Sequence, residues 1–109
     1  MKESFGEYIR KLRVENGLTL TQLAAYLGID SGALSKIENG KKKLDVKVLP
    51  KIAKKFNLDL DFLKNEFISE QIAYKVYESN CTSEVLQLAE EKIKYIKQKK
   101  VKQINFTFK

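Results

Sequence analysis

Apolar residues recur along the chain at intervals of three and four, and glycine, asparagine and capping residues interrupt them at regular places. Phe5, Ile9 and Leu12 form the first stripe. Ser4-Phe5-Gly6-Glu7 precedes it in the S-x-x-E form of a capping box, and Asn16-Gly17 ends it with residues that tolerate a left-handed backbone. Thr19-Leu20-Thr21-Gln22 is a second capping box, opening a short helix through Leu27 that Gly28 closes. Asp30 caps a third helix, residues 31–39, with Leu34 and Ile37 inward and Gly40 as its stop. A fourth starts near Val46 after Asp45, irregular in its first turn because of Pro50 and regular from about Leu49. Asp59 caps a short fifth helix holding Leu60, Phe62 and Leu63.

Two more helices are predicted beyond these. Ser69 caps one that carries Ile72, Ala73, Val76 and Tyr77 and ends at Asn80. Thr82 or Ser83 caps the longest, about residues 84–99, with Leu86, Ala89, Ile93 and Ile96 spaced three, four, three. Ile104, Phe106 and Phe108 then alternate with Asn105 and Thr107, which is the period of a strand. The pattern predicts an all-α fold: a five-helix domain over residues 1–65, then a helical extension with a short terminal β-strand over 66–109.

Composition narrows the function. Hydrophobic residues make up 43% of the 109, enough for a core in one small domain with an appendage. No apolar run approaches the roughly 20 residues of a membrane span, and the N-terminus lacks a signal-peptide pattern. With the single cysteine, Cys81, this predicts a cytoplasmic protein; Cys81 itself reads as an inert structural residue. Histidine is absent, so Cys/His zinc sites and His-based nucleophilic systems lack their parts. No Gly-rich phosphate loop is present. Neither an enzyme nor a cofactor is expected.

Charge changes the picture more. The net +7 is segregated: residues 1–40 balance to zero, 41–55 carry +6, 56–91 carry −6, and 92–109 hold seven lysines and no acid. Such segregation suits a polyanionic partner. Lys41, Lys42 and Lys43 form the densest cluster near the short helices, whereas the C-terminal lysines fit the solvated face of an amphipathic helix.

Gly28-Ile29-Asp30 is a three-residue, glycine-containing turn between two short helices, the arrangement of a helix-turn-helix. Spacing alone leaves open an ordinary αα corner. The run Gly17-Leu18-Thr19-Leu20-Thr21-Gln22-Leu23-Ala24-Ala25-Tyr26-Leu27-Gly28-Ile29, followed by Leu34-Ser35-Lys36-Ile37-Glu38-Asn39-Gly40, goes further. It closely resembles the Xre family, the lambda-repressor-like five-helix DNA-binding domain of lambdoid phage repressors and Cro. Leu49 to Leu63 continues the likeness into that family's fourth and fifth helices, so it covers about residues 5–64.

The resemblance implies roles residue by residue. Arg13 and Glu38 match a structural ion pair that locks the first helix to the recognition helix. Ser31, Gly32, Ser35, Lys36 and Asn39 match positions facing base edges or flanking phosphates. Thr19, Thr21 and Gln22 sit where the second helix meets a phosphate, and Lys41, Lys42 and Lys43 where a loop approaches the DNA backbone. Leu20 departs from the family's usual Gln at the start of the second helix, and Ser31 and Gly32 are small. Direct readout then falls to Lys36 and Asn39, with phosphate contacts and DNA shape supplying the rest.

The expected function is sequence-specific transcriptional regulation, as a repressor, on double-stranded DNA; the compact size also resembles restriction–modification controller proteins. The extension is expected to make a homodimer through Leu86, Ala89, Ile93, Ile96, Ile104, Phe106 and Phe108, with the terminal strand pairing with its symmetry mate and the operator palindromic. The alternatives are an antitoxin-like module whose tail grips a partner protein, with DNA binding secondary, and an adaptor that has lost DNA binding.

Overall fold

The computed structural model describes residues 3–107, with side chains through residue 100. It is all-helical: α1 (Phe5–Glu15), α2 (Leu20–Leu27), α3 (Ser31–Glu38), a 3-10 turn (Val46–Val48), α4 (Leu49–Phe56), α5 (Leu60–Glu78) and α6 (Glu84–Thr107). The caps act as local chemistry requires. Ser4 Oγ accepts from the Glu7 amide, and Thr19 and Gln22 complete a reciprocal capping box. Asp30, Asp45 and Asp59 cap α3, the 3-10 turn and α5. Pro50 lies in the first turn of α4, where its missing N–H costs nothing, and the irregular turn falls just before it.

The chain divides into two compact units, Met1–Ile72 and Ala73–Lys109. In the first, Ile9, Leu23, Leu27, Leu34, Leu49, Ile52 and Leu63 are fully buried, one or two from each of α1 to α5. Each contributes about 1.5–3 kcal/mol by leaving water. Leu44 joins this core from the loop after α3.

Two expectations need correction. Residues 60–78 form one helix, not two. Ser69, where the break is expected, does not cap anything; its hydroxyl donates back to the Glu66 carbonyl at 3.2 Å, the way serine is accommodated inside a helix. No glycine or proline lies between Asp59 and Glu78 to stop propagation. The terminal strand is absent too. Residues 104–107 continue α6, and Phe108 lies outside the described residues. A few alternating positions without a partner strand do not outweigh a long helix already nucleated, which gains a hydrogen bond per added residue. Among the described residues there is no strand, and no helix is long and apolar enough to cross a membrane.

The continuity of α5 carries Phe67 and Glu70 onto the start of α1. The Phe67 and Phe5 rings meet edge-on with centroids 5.2 Å apart. Glu70 Oε2 accepts from the Phe5 amide at 2.6 Å, placing a carboxylate at the positive end of α1. Residues 66–72 therefore belong physically to the first unit. Phe67→Ala is expected to destabilise the protein by about 3–5 kcal/mol, read from urea unfolding. A chain cut after Asn65 is expected to melt below one cut after Ile72.

Candidate nucleic-acid interface

α2 and α3 are joined by the turn Gly28 to Asp30. Gly28 adopts φ +73°, a left-handed conformation that glycine enters without a Cβ penalty, and its amide returns to the end of α2. Leu23, Ala24 and Leu27 of α2 and Leu34 and Ile37 of α3 face the core. That burial turns the polar edge of both helices outward: Thr19, Thr21, Gln22, Gly32, Lys36 and Asn39 are exposed, Ser31 and Ser35 half-buried.

α3 is held from behind by α1. Arg13 Nε donates to Glu38 Oε2 at 2.8 Å and Nη2 to Oε1 at 3.0 Å, a bidentate pair. Nη1 donates to the Leu18 carbonyl at 2.9 Å, tying in the loop before α2. Glu38 retains only 5% of its exposure. Hydrogen bonding to Glu38 raises the Arg13 pKa; burial pulls the other way, and the carboxylate's charge adds to the rise. The guanidinium therefore stays charged. Gly6 completes the joint. A Cβ there would run into the carbonyl oxygens of Ile37 and Glu38, so α1 crosses the end of α3 at backbone contact.

The lysine loop is fixed at its root. Gly40 takes φ +75°, letting the amides of Lys41 and Lys42 turn back to the Lys36 carbonyl at 2.8 and 3.3 Å. Leu44 then plugs into the core. Lys41, Lys42 and Lys43 are consequently exposed directly beyond the end of α3. Two predicted contact residues have structural duties as well. Asn39 caps α3, with its side-chain amide donating to the Ser35 carbonyl at 2.9 Å. Gln22 Oε1 accepts from the Thr19 amide, leaving its NH₂ group to face outward contacts.

Not all of the +6 segment is open to a ligand. Lys51 Nζ reaches the Leu27 carbonyl at 3.5 Å, and Lys55 Nζ sits 4.8 Å from the centre of the Tyr26 ring. Both pin α4 to α2. Sequence reasoning missed these two lysines, Gly6, Leu44 and Glu70. Only Gly6 carried a readable signal: glycine one turn into a helix costs about 1 kcal/mol against alanine, so its presence there points to a close approach. Among the described residues no group of three or more Cys, Asp or Glu is arranged to hold a metal ion.

Helices packed in this order, with a short glycine turn and an exposed second helix, define a DNA-binding helix-turn-helix domain. Residues 9–63 match the helix-turn-helix family model HTH_3, half of the chain, and the chain belongs to that Xre-like family. It is similar to the HTH-type transcriptional repressor RghR of Bacillus subtilis, 55% identical over 40 residues, which are 37% of this chain and 30% of that protein. Less than a third of that repressor's length is thus spanned. It is also similar to the ImmF control region 10 kDa protein of Bacillus phage phi105, 40% identical over 62 residues, covering 57% of this chain and 69% of that one. Among solved structures, a transcriptional regulator from Listeria innocua shares the fold, with TM-score 0.52 and 20% identity over 90% of this chain and 96% of that one.

The joint between α1 and α3 generates two expectations. Glu38→Ala strands the Arg13 guanidinium and is expected to cost about 3–5 kcal/mol, with Glu38→Gln costing less because it keeps an acceptor. Gly6→Ala is expected to cost about 1–3 kcal/mol despite its helix propensity, because backbone must move. Denaturant unfolding of the three variants checks both.

Proposed function

We propose that this chain is a sequence-specific DNA-binding repressor of transcription that works in the cytoplasm and has no enzymatic activity. α3 lies in the major groove, with Lys36 and Asn39 nearest to base edges and Ser31, Gly32 and Ser35 allowing close approach. The N-terminus of α2, with Thr19, Thr21 and the Gln22 amide, meets a phosphate. Lys41, Lys42 and Lys43 neutralise the adjoining backbone.

The observation that carries this reading is the lysine loop. Its three exposed cations are fixed by backbone hydrogen bonds to the end of the helix whose polar face is turned outward. The family and the repressor named among the relatives support regulation over a role in gripping a partner protein. One such domain reads only a short site. A homodimer on a palindromic operator doubles it, with half-sites one helical turn, about 34 Å, apart.

Selection of bound fragments from a random DNA pool is expected to yield an inverted repeat, with footprints on one face of the duplex. Replacing Lys41, Lys42 and Lys43 by alanine is expected to weaken binding to all DNA alike. It is also expected to flatten the log–log salt dependence by about 0.9 for each phosphate no longer neutralised. An unchanged slope would place these lysines away from DNA.

A further inference from the structure

α6 carries an apolar stripe that its own chain leaves uncovered. Leu86, Ile93 and Ile96 are 50%, 51% and 54% exposed, and Ala89 between them is exposed as well. At 100° per residue the four fall within about 80° of the helix circumference, so they form one seam.

The seam has a mirror symmetry. Its spacing of three, four, three reads the same from either end, with the midpoint at residue 91. In heptad terms Leu86 and Ile93 are a positions, and Ala89 and Ile96 are d positions. Two such helices running in opposite directions about residue 91 set every a against a d: Leu86 level with Ile96 of the partner subunit, and Ala89 level with the partner subunit's Ile93. The smallest side chain of the seam then meets a large one.

Charge has the complementary polarity. From residue 84 to 91 the helix holds Glu84, Glu90 and Glu91 and no base; from 92 to 102 it holds six lysines and no acid. Parallel pairing would stack lysine on lysine along half the helix. Antiparallel pairing lays the acidic half of each helix beside the basic half of the other. Glu90 comes level with the partner subunit's Lys92, and Glu84 within one turn of the partner subunit's Lys97 and the partner subunit's Lys99. Pattern and charge select the same direction and the same register.

We propose that α6 docks on α6 of a second copy of this chain as an antiparallel pair centred on residue 91. The inference rests on the homodimeric reading above and adds to it the interface, its direction and its register. The Lys92–Lys102 segment thereby acquires a protein partner in place of DNA.

Single-cysteine variants made in a Cys81→Ser background test it. Leu86→Cys and Ile96→Cys are oxidised separately and then as a mixture. In the antiparallel pair two copies of position 86, or of position 96, lie about 15 Å apart along the axis at 1.5 Å per residue. That is beyond the Cα separation a disulfide bridges. The mixture is expected to give a covalent dimer of one chain of each variant, and each variant alone none. Covalent dimers of either variant alone would overturn the antiparallel register while leaving a dimer standing. A second arm leaves the seam intact. Glu84→Lys with Glu90→Lys is expected to weaken self-association about tenfold at low ionic strength and to approach wild type at high salt. Association unchanged by this reversal would also overturn the proposal. Sedimentation of the wild-type chain as a monomer would remove the dimer itself, a failure separable from loss of DNA binding.

Discussion

The bidentate contact between Arg13 and Glu38 is the constraint on which the rest of the first unit depends. α3 has only eight residues, too few to persist as a helix on propagation alone. Its direction is fixed by what holds its two ends. At its start, the Gly28 turn and the Asp30 cap determine where it leaves α2. At its end, Glu38 is buried and would be costly there as an unpaired charge; Arg13 removes that cost with two hydrogen bonds and directs its third to Leu18. A buried ion pair gives little net stability over an apolar substitute, but breaking one side is expensive. What it supplies here is definition. One guanidinium sets the position of α3, the loop before α2 and, through Gly6, the depth at which α1 crosses.

Features that depend on near neighbours along the chain are legible in the sequence itself. Capping boxes, stop glycines and the displaced start of α4 all follow from side chains within four residues of the backbone groups they satisfy, and each is found where the pattern puts it. The helix-turn-helix itself belongs to this class. The division of residues 60–80 fails for a related reason. Serine can cap a helix or bond back into one, and the choice lies in the core contact made by Phe67, which fixes the helix around it. Sequence periodicity sees Phe67 as one more apolar residue.

What stays hidden is long-range. Glu70 meeting the Phe5 amide spans 65 positions, and Lys51 reaching Leu27 spans 24. By composition, the seven lysines of residues 41–55 form one electrostatic footprint. The fold divides them: Lys51 and Lys55 bind α4 to α2, while the triplet is held clear on its own loop. The candidate DNA face is therefore well defined by sequence in its helices and too broadly in its charges. Asn39 shows the same limit, since its cap on Ser35 cannot be seen from the pattern of its helix.

This division bears on how a protein with net +7 discriminates among polyanions. Cations spread over a whole surface attract any nucleic acid, and such affinity rises without adding selectivity. Here the cations free to act are confined to a loop rooted at the end of the proposed reading helix, where a phosphate contact also sets that helix's register in the groove. The second basic region lies on α6, interleaved with an apolar seam and opposed in sign by the other half of the same helix. If those lysines are matched by a partner's glutamates, they contribute little to counterion release on DNA, and the salt dependence of binding is governed by the loop alone. The acidic stretch before them then has a physical role of its own: it supplies the matching charge, and it keeps the extension from competing with α3 for the phosphate backbone.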